Sequence, residues 1–378
     1  MLVPNRFSKA VEQVRASGRW VLDLTASNPT RVGIEGNETA ILDALTNRKV
    51  LDYDPDPKGL ITARRAVTDY YSERGELVDC ESLVLTSGTS EGYSYIFRLL
   101  ANPGDEVLVP KPSYPLFEFL AELEDTQLVP YALIYDHGWQ IDFPSIERAI
   151  SERTRALVLV NPNNPTGSYV NPEERHMINR LCAEHGFALV VDEVFLDYSH
   201  EPSRHVSFAV NHQALTFTLS GLSKIAALPQ MKMAWIAVSG PQSPVRQALE
   251  RLEIIADTYL SVSAPVQLAA GVLLEQRRSM QPRIMERVEA NLKQLDRELG
   301  QQHSCVRLLV SGGWYAVVRV PVTRSDEDLV VELVRECSVA VHPGHFYDFP
   351  EDGFLVLSLI TPEQEFREGV ERLFGFLM

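Results

Sequence analysis

Four short segments of this chain place reactive side chains directly after apolar runs. Ser87-Gly88-Thr89-Ser90-Glu91-Gly92 follows Ser82–Thr86 and leads into a helical pattern. Small residues and hydroxyls at a helix start expose backbone N–H groups that suit a phosphate. Asn161-Pro162-Asn163-Asn164-Pro165-Thr166-Gly167 follows Ala156–Val160; its ordinary meaning is a Pro/Asn turn, its chemical one an amide donor. Asp192-Glu193 follows Ala188–Val191, and a carboxylate ending a buried strand needs a cationic partner. Ser220-Gly221-Leu222-Ser223-Lys224 follows Leu215–Leu219, with Lys232 eight residues on. A lysine among small and apolar residues can become a nucleophile when desolvated. Taken singly, each has a bland reading as a cap, a turn, an ion pair or a surface lysine.

The segments gain weight from the elements that must hold them. Apolar runs at Ser82–Thr86, Glu106–Val109, Ala156–Val160, Ala188–Val191, Leu215–Leu219 and Met233–Val238 alternate with helical patterns. Several are apolar throughout, as in parallel strands covered on both faces. Ligands of such sheets collect beyond the carboxyl ends of the strands. A phosphate cup, an amide, a carboxylate and a lysine stand there in that order. The chain after about 266 reads differently: a long helical pattern through 266–300 broken at Pro282, strands VRLLV and YAVVRV, a helix near 326–337, a strand at 354–359 and a final helix. The predicted organisation is a large domain over 46–265 and a smaller α+β domain from 1–45 and 266–378.

Composition removes other classes. The chain has 378 residues, 45% hydrophobic and 23% charged, and needs no staple to bury a core. Its formal charge of −16 argues against nucleic acid as a partner. No run approaches a membrane span and no basic n-region precedes an apolar core, which predicts a cytoplasmic chain that binds no membrane. Four cysteines lie too far apart for a zinc or redox motif, so neither a metal nor a disulfide is expected. GxxxxGK[ST] and GxGxxG are both absent.

With NPNNPTG, Asp192-Glu193-Val194, SGLSK and Ser113-Tyr114-Pro115 in this order and spacing, the sequence resembles the fold type I pyridoxal-phosphate (PLP) enzymes, specifically the class I/II aminotransferases, from about Leu24 to the C-terminus. The resemblance implies an α/β fold with a mainly parallel sheet in a large domain and a smaller α+β domain. It implies that Lys224 bonds the cofactor aldehyde and later shuttles the Cα proton. Asp192 would face the pyridine nitrogen, Asn164 the ring 3′-oxygen and Tyr114 the ring face. Thr89 and Ser90, with the Gly88 backbone, would cradle the phosphate, with Lys232 where the family usually has arginine, and Ser223 would also be among the cofactor-binding residues. Tyr53, in YDPDPKG, resembles the tyrosine that reaches a partner subunit's phosphate, implying a homodimer with shared sites.

Several positions depart from the family pattern. Phe195 stands where most relatives carry a tyrosine that donates to the 3′-oxygen. Gly221 replaces a serine, and Ser27 a glycine of the substrate loop. Val356 occupies the position of the arginine that binds the substrate carboxylate, and the second, dicarboxylate-selecting arginine would fall near Ala256. Arg31 is the first substitute anchor, ahead of His342 and His345. Trp314 and Tyr315 fall in a segment that approaches substrate in the family. The implied function is amino transfer between an amino acid or amine and a 2-oxo acid. A PLP-dependent lyase, decarboxylase or cyclase is the alternative, and a PLP-sensing regulator is the reading from another class.

Overall fold

The computed structural model describes residues 5–201 and 205–377. Its centre is an eight-stranded sheet in the order Leu83–Thr86, Ala234–Ser239, Thr216–Gly221, Ala188–Asp192, Thr154–Val160, Glu106–Lys111, Gln127–Tyr135, Trp139–Ile141. Strands from Thr216–Gly221 to Gln127–Tyr135 run parallel, while Ala234–Ser239 is antiparallel to both its neighbours and Trp139–Ile141 closes the far edge antiparallel. Central strands are buried residue after residue, which is why their sequences are continuous apolar runs. Side chains alternate between two core layers: Val158, Val190, Phe217 and Ile236 face one, and Leu157, Leu189 and Val191 the other.

A four-stranded antiparallel sheet follows, in the order Val306–Arg307, Tyr315–Arg319, Phe354–Ser358, His342–Pro343. It shares one apolar core with Phe7, Ala10 and Val14 of the first helix and with Phe366, Val370, Leu373 and Phe374 of the last. Those four recur at i, i+4, i+7 and i+8 on Glu363–Leu377.

Two sequence expectations needed correction. The helix Arg277–Leu299 runs through Pro282 unbroken, whereas the breaks fall at Ala269 and Gln276. Pro282 is the sixth residue of that helix, so the one backbone donor it removes comes just after the uncapped first turn. The strand Gln127–Tyr135 was not read from the sequence. It lies near the sheet edge, is only half-buried and contains Pro130, features that obscure a strand signal. Among the described residues no helix is long and apolar enough to cross a membrane, and no cluster of His, Cys, Asp and Glu could hold a metal.

Candidate active site

Lys224 sits in the short helix Leu222–Ile225 that follows strand Thr216–Gly221. This turn is fastened from several sides. Leu222 N–H donates to Met233 O (3.0 Å), and Tyr198 Oη donates to the Lys224 carbonyl (2.6 Å). Gln281 Nε2, from the helix Arg277–Leu299, donates to Ile225 O (3.0 Å) and Asp197 Oδ2 (2.8 Å). Asp197 in turn pairs with Arg74. Gly221 explains itself here: a Cβ at this position would stand 2.8 Å from the Cβ of Ala234, its partner on the adjacent strand. No serine fits there, and Ser220 instead donates to Glu193 O (3.4 Å).

The Lys224 ammonium lies 4.9 Å from the centroid of the Trp314 ring and 5.4 Å from that of Phe195. Burial lowers its pKa to about 8, and attraction to Asp192 works against that fall. Asp192, at the end of the next strand, is pushed the other way, to about 6, again by burial. Two donors and the lysine charge oppose its rise. Val194 N–H reaches Oδ1 at 3.1 Å, and the hydroxyl of buried Tyr93 reaches Oδ2 at 3.3 Å. Tyr93 was not singled out in the sequence.

Asparagines of NPNNPTG divide their work. Asn161 accepts from Val170 N–H, and Asn163 donates to Ser113 Oγ while accepting from Thr166 Oγ1. Asn164 differs: its side chain is buried and Oδ1 has no hydrogen-bond partner. Trp314 is likewise fully buried with Nε1 unpartnered. Buried polar atoms without partners are uncommon, and two occur in the segments that meet at Lys224 and Asp192.

The helix Thr89–Leu100 begins at Gly88 with no side chain capping its first amides, leaving the N–H groups of Thr89 and Ser90 open to an anion. Glu91 folds back so that Oε2 accepts from Ser87 N–H (2.7 Å) and Oε1 from Ser261 Oγ (2.6 Å). Lys232 is exposed, has left-handed backbone (φ 54°) and no ion pair among the described residues. Tyr53 is 84% exposed, on a surface pocket shared with Leu260–Ala264 rather than beside Lys224.

Tyr114, Ser113, Ser27 and Tyr315 line a cleft of about 900 Å³ whose walls include Lys111, His342, His345, Phe346 and Tyr347; Lys224, Asp192 and Asn164 are not among its lining residues. Burial and the adjacent Asp192 carboxylate push the Tyr114 phenol up. Val356 is buried in the core beside the four-stranded sheet, paired with Val317 and His342. Arg31 is exposed on the turn Pro29–Arg31 and does not line the cleft. Burial holds His342 down at about 4, so it is uncharged at neutral pH. Phe195 stacks edge-on against Trp314 and Tyr198 inside the shared core.

The family described as "Aminotransferase class I and II" matches residues 22–373. The chain is 29% identical to the alanine aminotransferase of Mycobacterium tuberculosis strain H37Rv, over 97% of this chain and 87% of the relative. It is 31% identical to the glutamate-pyruvate aminotransferase AlaA of Escherichia coli K12, over 70% and 66%. An aminotransferase structure from Escherichia coli superposes with a TM-score of 0.87 at 25% identity, covering 99% of this chain and 94% of that one. An alanine aminotransferase from Pyrococcus furiosus shares the fold with a TM-score of 0.89 at 21% identity, covering 100% and 99%.

Proposed function

From the premise that the chain belongs to the class I and II aminotransferases, a family that depends on PLP in general, we propose that Lys224, Asp192 and Asn164 are its catalytic centre. The observation that carries the reading is the meeting of a desolvated lysine and a buried carboxylate at adjacent strand ends, with an unpartnered amide at the next strand. The donor set fits PLP: an uncapped helix start and Lys232 for its phosphate, an amide for its ring oxygen and a carboxylate for its ring nitrogen. When bound, PLP supplies an aldehyde that condenses with amines and a ring that accepts an electron pair.

Lys224 enters the reaction as the neutral amine, and a pKa of about 8 leaves a useful fraction neutral near physiological pH. The same Nζ takes and returns the proton at the substrate Cα. Asp192 holds the proton at the ring nitrogen by its negative charge. Thr89 and Ser90 amides orient the phosphate, with Lys232 adding a point charge without the fork of an arginine. Tyr114 covers one ring face, and Phe195 and Trp314 exclude water from the other side of Nζ.

Tyr53, exposed on an open pocket, supports a homodimer in which it reaches the partner's phosphate. Alanine with a 2-oxo acid and glutamate with pyruvate are the first substrate pairs to try, because relatives at 29% and 31% identity are named alanine aminotransferase and glutamate-pyruvate aminotransferase. The test is conversion of amino acids to 2-oxo acids by the PLP-loaded protein, with Lys224→Ala as control. A wild type that loads PLP yet releases only a decarboxylated or eliminated product would refute amino transfer.

A further inference from the structure

We propose that Tyr93 is a positioning residue for the cofactor, acting through Asp192 from beneath the site. This rests on the assignment of Asp192 to the ring nitrogen. Tyr93 lies on the fifth position of the helix that opens the phosphate cup, and its hydroxyl donates to Asp192 Oδ2 at 3.3 Å. The other oxygen accepts from Val194 N–H at 3.1 Å. One donor on each oxygen fixes the carboxylate plane and leaves each oxygen a free lone pair for the ring.

The phenol is not free to leave. Tyr93 is 1% exposed, its ring meets Phe117 edge-on with centroids 5.4 Å apart and Phe97 at 5.9 Å, and it belongs to the core layer under the sheet. Burial and the neighbouring Asp192 charge push its pKa well above the ordinary tyrosine value, so it remains a donor at every working pH. Phenylalanine would fill the same space, which makes the hydroxyl the only variable. One helix therefore presents two functions to one ligand: its start to the phosphate and, a turn later, a hydroxyl to the carboxylate that meets the ring.

The experiment compares two ligands in the apoprotein: PLP, and a deaza analogue in which the ring nitrogen is replaced by C–H. Dissociation constants come from quenching of tryptophan fluorescence. Tyr93→Phe is expected to weaken PLP about tenfold, the effect of losing one hydrogen bond to a charged group. It should leave the deaza analogue within twofold. Loss of Tyr93 as mere core packing would weaken both ligands equally and overturn the proposal, as would no change in either. Asp192→Asn separates the two levels of the argument. If wild type and Asp192→Asn favour PLP over the analogue by the same ratio, Asp192 does not meet the ring nitrogen, and the inference falls with that assignment. A Tyr93→Phe protein that binds neither ligand overturns the proposal when its thermal unfolding is unchanged; when it fails to fold, Tyr93→Met, which also lacks the hydroxyl, must show the selective loss of PLP, and equal loss of both ligands there overturns it.

Discussion

Replacing Lys224 by methionine should stabilise the cofactor-free protein at neutral pH, and the gain should disappear in base. An unfolded lysine keeps its proton to about 10.5, whereas folded Lys224 loses it at about 8. Between those values the unfolded chain binds more protons, so folding stability rises with pH. Below pH 8 the folded protein carries the full cost of a desolvated ammonium. A shift from 10.5 to about 8 corresponds to about 3 kcal/mol, an upper value because the side chain is only partly shielded from water. Methionine has a similar length and no charge. Urea unfolding of the two apoproteins at pH 6.5 and pH 10 gives the difference directly. The advantage of Lys224→Met should shrink from up to about 3 kcal/mol to less than about 1 kcal/mol. Asp192, losing its cation in the variant, works against the gain at pH 6.5, a second reason that the figure is an upper value. An advantage that stays constant across this range would refute the claim that burial of Lys224 is costly.

Lys224→Ala should reduce amino transfer by several orders of magnitude while PLP still binds in the cup; borohydride treatment of the wild type should label Lys224, and a peptide map with the label elsewhere would end the assignment. Arg31→Ala should leave KM for the preferred amino acid within twofold, since the side chain is exposed outside the cleft, and a large rise would restore it as the carboxylate anchor. Tyr198→Phe removes the 2.6 Å bond to the Lys224 carbonyl and should cost about 1 kcal/mol in unfolding experiments together with a fall in kcat. Phe195→Tyr should move the pH midpoint of the bound cofactor's visible band downward if the new hydroxyl reaches the ring oxygen; an unmoved midpoint means that the hydroxyl points elsewhere.

Much of the site was legible because buried strands announce themselves as apolar runs and the residue after each run has nowhere to go but the strand end. Asp192, Asn164 and Lys224 are the residues this rule singles out, and each stands at or just beyond a strand end. Tyr93 and Tyr198 were not, because a helix-face tyrosine and a loop tyrosine look alike until packing assigns their hydroxyls. Tyr93 meets a carboxylate 99 residues away, and no local pattern encodes that pairing. Gly221 shows the converse: the sequence reveals the departure, but only the approach of Ala234 gives its cause. The sequence also shows Val356 where the family pattern leads one to expect an arginine. What replaces that arginine it does not show, since the first substitute, Arg31, faces solvent and His342 is held neutral.

The bond from Gln281 to Ile225 O joins the turn that carries Lys224 to a helix that packs mainly on the last helix and, through Arg277 and Arg278, pairs with Glu73 of the helix Ile61–Glu73. Arg287 and Asn291, farther along that helix, donate to the carbonyls of Val32, Leu359, Ile360 and Thr361. The helix thus ties the turn that carries Lys224 to the segment just before the last helix. A shift of this helix along its axis is therefore felt at the turn of Lys224, through the two bonds of Gln281.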